Sequence, residues 1–206
     1  MISKRFLSVA VVIGALLLPS MVSAQDAQAE PDAAKLQEQF EQFSKPGKEH
    51  RQLRRLVGTW KADVKHFYDE SGEPSVSEAT ATFRALLGGR YVQQRFHGEM
   101  QGQKFSGMAI TGYDNAKKKY VGIWIDDMGT GIMHSEGTYD VKTNTMTETA
   151  VGSSPIGEMK YKNVWHYKSD DEFTFLMSMV TPDGERKLID ITYTRVEKPS
   201  KKKKDE

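Results

Sequence analysis

From residue 58 to residue 197 the chain alternates with a period of two, in short runs broken by Gly, Asn, Asp and Pro. In the first run Trp60, Ala62, Val64, His66 and Tyr68 share one side, and Lys61, Asp63 and Lys65 share the other. In the second, Ala79, Ala81, Phe83, Ala85 and Leu87 line one side. Gly88-Gly89 then predicts a tight hairpin turn, because both residues tolerate positive φ. Eight further strands are predicted over residues 90–100, 104–113, 120–127, 132–139, 146–151, 159–167, 173–180 and 187–195. Every connection is short, whereas a parallel crossover needs about a dozen residues or more, so neighbours must be antiparallel. A meander of about ten strands leaves two raw edges unless it closes on itself. The expected fold is all-β: a closed antiparallel up-and-down barrel of about ten strands, one domain over residues 58–197.

Upstream the period changes. Asp32 can cap a helix in which Leu36, Phe40 and Phe43 recur at i, i+4 and i+7, and Lys45-Pro46-Gly47 breaks it. A second short helix over residues 49–55 carries Leu53 and Leu56 inward. The helical lead over 32–57 is expected to plug one barrel end, because Phe40, Phe43, Leu53 and Leu56 need burial. Residues 25–31 read as a flexible leader. Residues 1–24 read as a signal peptide: Lys4 and Arg5 form its positive start, residues 9–18 its apolar core, and Val22-Ser23-Ala24 its cleavage site. That apolar run falls short of the ~20 residues a membrane span needs. The expectation is a periplasmic or secreted protein with no stable membrane insertion after cleavage.

Composition narrows the chemistry. The chain has no cysteine, which removes a thiol nucleophile, thiolate zinc sites, a lipobox and haem attachment through Cys-x-x-Cys-His. A core of this size does not need disulfides. Lys+Arg number 29 against 28 Asp+Glu, but five lysines and two acids fall in residues 198–206. Without that tail and the signal, the body holds 22 bases against 26 acids, so a basic face for nucleic acid is not supported. The tail itself reads as a disordered, solvated end.

The run Pro46-Gly47, Glu49-His50, Leu53, Leu56-Val57-Gly58-Thr59-Trp60 resembles the start of a bacterial family known as domain of unknown function 1579. The likeness continues at Arg90-Tyr91-Val92, Gly107, Gly112-Tyr113-Asp114, Tyr120, Trp124, Asp126 and Gly137. It implies a calycin-type barrel, related in shape to lipocalins and fatty-acid-binding proteins, and brings no catalytic residues. Calycins as a class often hold a small apolar ligand, and one branch holds haem.

Trp60 is expected to close the barrel floor against a helix, its N–H reaching a nearby carbonyl. Tyr113, Trp124, Tyr161, Trp165, Phe175 and Met177 fall on faces rich in aromatics and methionine with small residues between them. Such an interior is either a solid core or a cavity of a few hundred Å3, and about ten strands enclose more than eight, which side chains just fill. Val121, Ile123 and Ile125 are also apolar on the opposite face. On the third strand Tyr91, Gln93, Arg95, His97 and Glu99 share a face, which reads as the solvent side with Val92, Phe96 and Met100 inside. In the reversed register Arg95 and His97 become polar anchors for a ligand, and arginine matches a carboxylate bidentately.

Asp126, Asp127, His134 and Glu136 flank Gly129-Thr130-Gly131. With a three-residue loop His134 lies across from Asp126; with a two-residue loop it pairs with Ile125. Such a cluster can hold a divalent metal or act as acid and base, but at hairpin tips it is commonly solvated charge. Asp126 can instead hydrogen bond beside Trp124. His66 can face inward and ligate haem, against the alternative of a hydrogen-bonded core histidine. No phosphate loop, dinucleotide fingerprint, nucleophile elbow or EF-hand loop is present.

The leading expectation is non-catalytic binding of a small, largely apolar molecule inside the barrel, with Arg95 or His97 as anchor and no required cofactor. One alternative is an interaction protein with a filled barrel, using its helical arm or the Val121, Ile123 and Ile125 face. The other is a haem- or metal-dependent enzyme using His66, His97 or His134 with nearby carboxylates.

Overall fold

A computed structural model of the protein describes residues 32–68 and 72–197. The expected signal (1–24), leader (25–31) and tail (198–206), and residues 69–71 of the first turn, lie outside the described residues. Among those described, two helices precede ten strands: α1 (Ala33–Ser44), α2 (Lys48–Arg54), β1 (Gly58–His66), β2 (Ser75–Leu86), β3 (Tyr91–Met100), β4 (Gln103–Asp114), β5 (Lys119–Asp126), β6 (Met133–Asp140), β7 (Thr145–Ser154), β8 (Gly157–Tyr167), β9 (Glu172–Thr181) and β10 (Gly184–Glu197). Each strand pairs antiparallel with its sequence neighbours, and β1 pairs with both β2 and β10, so the sheet closes. The seam is in register over most of its length, with Ala62 opposite Tyr193 and Val64 opposite Ile191. Closure satisfies the edge groups that an open meander would leave bare.

The alternation sets the two faces of the wall. In β1, Trp60, Ala62, Val64 and His66 are buried while Lys61, Asp63 and Lys65 point to solvent. Ala79, Ala81 and Phe83 continue the inner face on β2, but Ala85 and Leu87 are exposed. The strand ends at Leu86, and a short 3-10 turn follows over Leu87–Gly89. Leu87, Gly88 and Gly89 all carry positive φ, a run that two glycines make accessible. The hairpin is thus longer than the tight Gly88-Gly89 turn, with Leu86 opposite Tyr91.

α2 seals one end of the cylinder. Its Leu53, and Leu56 just beyond it, are buried against Trp60 and the rest of the core. The Trp60 indole N–H donates to the Leu56 carbonyl at 2.7 Å, as the sequence leads one to expect. Arg195, at the end of β10, lies with its guanidinium 4.0 Å from the centre of the Trp60 ring. It donates to the carbonyls of Val57 (2.8 Å), Arg55 (2.7 Å) and Asp170 (2.7 Å), and pairs with the Asp171 carboxylate at 3.1 Å. One residue therefore ties the last strand to the entry of the first. Above it Phe173 stacks on Tyr193 at 4.3 Å and meets Trp60 edge-on at 4.7 Å. Each such ring pair contributes about 0.5–1.5 kcal/mol beyond the area it buries.

α1 does not share in the plug. Asp32 caps it as expected, accepting from the Ala34 N–H at 3.1 Å. Yet none of its residues is buried, and Phe40 and Phe43 stay 61% and 51% exposed. The reason is steric: Leu53 and Leu56 already fill the floor, and Lys45-Pro46-Gly47 carries α1 outside the barrel. Among the described residues, hydrogen bonds to the barrel hold its C-terminal end. Asn115 Nδ2 donates to the carbonyls of Phe43 (2.6 Å) and Lys45 (3.1 Å), and Arg90 Nη2 to that of Ser44 (2.9 Å).

Candidate ligand cavity

Above the aromatic floor the barrel is hollow. A cavity of about 350 Å3 runs from the floor toward the end of the cylinder away from α2. Among the described residues the barrel is therefore not filled, which goes against one of the alternatives the sequence left open. Ten strands enclose more space than eight, and the inner face spends several positions on small residues, among them Gly107, Ala109 and Gly122. The walls are apolar: Trp124, Tyr161, Trp165, Phe175 and Met177 all line the space. Trp124 stands where it does because Gly107 faces it; a Cβ at that position would overlap the indole. The indole N–H is fixed by the Asp126 carboxylate at 2.7 Å, and Phe105 stacks against the ring with centroids 6.4 Å apart. Met100, Met128 and Met133 approach the outer end, together with the carboxylate of Asp126.

The polar part of the interior lies on β6, β7 and β8. Glu148 is only 4% exposed. Its Oε2 accepts from the Trp165 indole N–H at 2.8 Å and its Oε1 from the Ser135 hydroxyl at 3.3 Å. Burial pushes its carboxyl above the ordinary glutamate range, and these two hydrogen bonds offset part of that rise. Gly137 sits opposite in register, and a Cβ there would run into the Glu148 side chain and the backbone of β7. Across the β7–β8 ladder from Glu148 stands Asn163, 7% exposed, whose Oδ1 has no hydrogen-bond partner among the described residues. A little apart, Gln94 Nε2 donates to the Tyr193 hydroxyl at 3.3 Å.

The structure sorts the residues proposed from sequence into three places. Trp124, Tyr161, Trp165, Phe175 and Met177 line the cavity. Tyr113 is on the inner face but belongs to the floor, with its ring 5.9 Å from His50 and 5.1 Å from Tyr120. Arg95 and His97 are on the outer wall and exposed, so neither anchors a ligand inside. The register of β3 places Val92, Gln94 and Phe96 inside, and alternation then sends Arg95 and His97 out. His97 meets Ser106 Oγ at 3.1 Å on that outer face.

The His134 cluster does not form. β5 ends at Asp126 and β6 begins at Met133, so the loop is longer than either length considered, and His134 pairs with Ile123. It is exposed on the outer wall, as the register requires, while Asp126 points inward to Trp124. Glu136 is held by Lys117 and by Lys119, which keep its carboxyl below the usual range. Among the described residues no group of three or more His, Asp or Glu is placed to hold a metal ion. The haem or metal alternative is left with His66, which does line the cavity, stacks on Tyr68 at 5.8 Å, and is held below the usual histidine value by burial.

Glu148 and Asn163 form the polar centre, and Glu148 had no place in the sequence-based set. A signal existed: in Met146-Thr147-Glu148-Thr149-Ala150, Glu148 shares a face with Met146 and Ala150. Arg195 is the other omission. Nothing near it in sequence marks its contact with Trp60, 135 positions away.

Comparison with known proteins adds the family and the fold. No curated protein matches the chain. Among solved structures, Rv2717c from M. tuberculosis is similar at a TM-score of 0.56 and 14% identity, over 73% of this chain and 99% of that one. An S-type phycobiliprotein lyase, CPES from Guillardia theta, aligns at a TM-score of 0.46 and 11% identity, over 76% of this chain and 100% of that one. The first of these is a likeness of fold alone. The model for proteins of unknown function designated DUF1579 matches residues 45–195, from the start of the barrel's helical plug to the arginine that locks it, and the chain belongs to that family.

Proposed function

We propose that the protein is a binding protein for a small, largely apolar molecule, held without covalent chemistry inside the barrel. The observation that carries this is the hollow of about 350 Å3, walled by aromatic and methionine side chains. Ligand pockets commonly begin at about 300 Å3 and combine apolar walls with a few placed polar groups, as here. Met177 and the methionines near the rim add side chains that adapt to an irregular guest. Export supports the reading of a carrier working outside the cytoplasm; the basis for export is the pattern of residues 1–24. N-terminal sequencing of the mature protein tests it, with Gln25 as the expected first residue. Among the described residues no helix is long and apolar enough to cross a membrane.

The binding claim is tested by native mass spectrometry of freshly purified protein and by titration with the apolar fluorophore N-phenylnaphthylamine. Ala109 lines the hollow, so Ala109→Phe fills part of it. The expected result is a retained adduct or saturable fluorescence in the wild type and its loss in Ala109→Phe, with the melting temperature of the variant maintained. Equal dye response from a folded Ala109→Phe variant, or none from the wild type, overturns the reading.

A further inference from the structure

We infer that the cavity selects an apolar molecule bearing an amine, its ammonium group seated between Glu148 and Asn163. This deepens the binding reading and rests on it. The cavity is one-sided in its chemistry. Its lining includes the acidic side chains of Glu148 and Asp126 and neither a lysine nor an arginine. Arg95, the residue best suited to a carboxylate ligand, is on the opposite face of the wall. His66 is the one lining side chain able to become cationic, and its burial disfavours that form.

Two buried acceptors meet at the centre. Glu148 is satisfied by two donors, the Trp165 indole and the Ser135 hydroxyl, but two carboxylate oxygens offer about four acceptor sites. Asn163 Oδ1 is buried with no donor among the described residues. Two buried side-chain polar atoms lack partners among the described residues, this one and Gln52 Nε2, and of the two residues only Asn163 lines the cavity. A buried polar group without a partner is a destabilising feature that a folded protein seldom keeps without use. A guest that supplies several N–H donors and a positive charge answers both groups at once. An ammonium does so, whereas a carboxylate adds a like charge beside Glu148 and a plain hydrocarbon leaves Asn163 unanswered. The surrounding rings suit the same guest: Trp165 and Phe175, whose centroids are 4.5 Å apart, present π-systems that attract a cation in a dry site.

Three probes with one hydrocarbon tail separate the alternatives: octylamine, octanol and octanoate, titrated at neutral pH into the intact protein and followed by calorimetry. The expected order is octylamine tightest, at least tenfold over octanol, with octanoate weakest. In Glu148→Gln the octylamine-to-octanol ratio should fall to threefold or less. Asn163→Leu, which keeps the volume and removes the acceptor, should reduce the ratio as well, and circular dichroism confirms that each variant is folded. Octanol binding as tightly as octylamine in the wild type, and losing affinity in Ala109→Phe, overturns the amine preference while leaving the binding reading intact. If none of the three binds the wild type more tightly than Ala109→Phe, both fall together. Octanoate preferred over octylamine also overturns the inference.

Discussion

Replacing Arg195 by methionine keeps most of the side-chain volume in the floor and removes the guanidinium, so it isolates what that group contributes. The side chain is 7% exposed and donates to three backbone carbonyls, two of which, on Arg55 and Val57, are partly buried at the junction of α2 and β1. Leaving a buried acceptor without its donor is destabilising by about 1–3 kcal/mol, toward the low end where water can reach. The stacked position over Trp60 adds about 1–2 kcal/mol for a largely desolvated cation on an indole. The pair with Asp171 adds little, because that carboxylate is half exposed. The expected loss is about 3–5 kcal/mol, a large share of the roughly 5–15 kcal/mol by which a domain is stable. For a chain of this length about 2–4 °C of melting temperature follows each kcal/mol, so thermal denaturation should show a fall of about 6–20 °C. Hydrogen exchange should show lost protection first in α2, because Arg195 fastens that helix to the wall. Arg195→Lys should recover less than half of the loss, since an ammonium lacks the planar fork that reaches several carbonyls. A melting temperature within 2 °C of wild type, taken as the experimental threshold, would refute the assignment of Arg195 as the clasp.

Glu148→Gln should make the protein more stable at pH 8 and leave it unchanged in acid. The buried carboxyl titrates above its unfolded value of 4.5, so the native state binds the proton more tightly. Its favourable contribution is full below that value and is lost as pH rises through the folded-state value, a loss the amide escapes; parallel thermal melts from pH 4 to 8 in both proteins check this. Gly107→Val should be destabilising by about 1–3 kcal/mol through overpacking against Trp124, and should shift tryptophan fluorescence, because the indole must leave its Asp126 partner. Phe40→Ser and Phe43→Ser should each change stability by no more than about 0.5 kcal/mol in urea denaturation, since both rings are already in solvent.

The barrel was legible in the chain because two local signals agreed along its whole length: alternation within runs, and Gly, Asn or Asp between them. Trp60, Phe175 and Met177 could be placed on the inner face by counting in twos. What failed was whatever depended on loop length or on a distant partner. His134 was misplaced because the β5–β6 loop is longer than its glycines implied, and in a strand each added residue swaps the face. Phe40 and Phe43 look like buried residues by their spacing, but spacing does not reveal that Leu53 and Leu56 already occupy the floor. Arg95 stayed undecided until β3 had a register. Glu148 shows a different limit: the pattern puts it inside, and ordinary expectation about charged residues argues it back out. In a functional interior that conflict between pattern and polarity is the signal to follow.

The joint between β1 and β10 has a consequence for how the molecule comes into being. A ribosome releases residue 195 long after residue 60, so the cylinder has no means of shutting until β10 has emerged. Until then the ribbon of strands has a bare margin at each side, open to the wrong neighbour. Truncations that stop short of the final strand should thus yield sticky, aggregating fragments rather than smaller versions of the vessel.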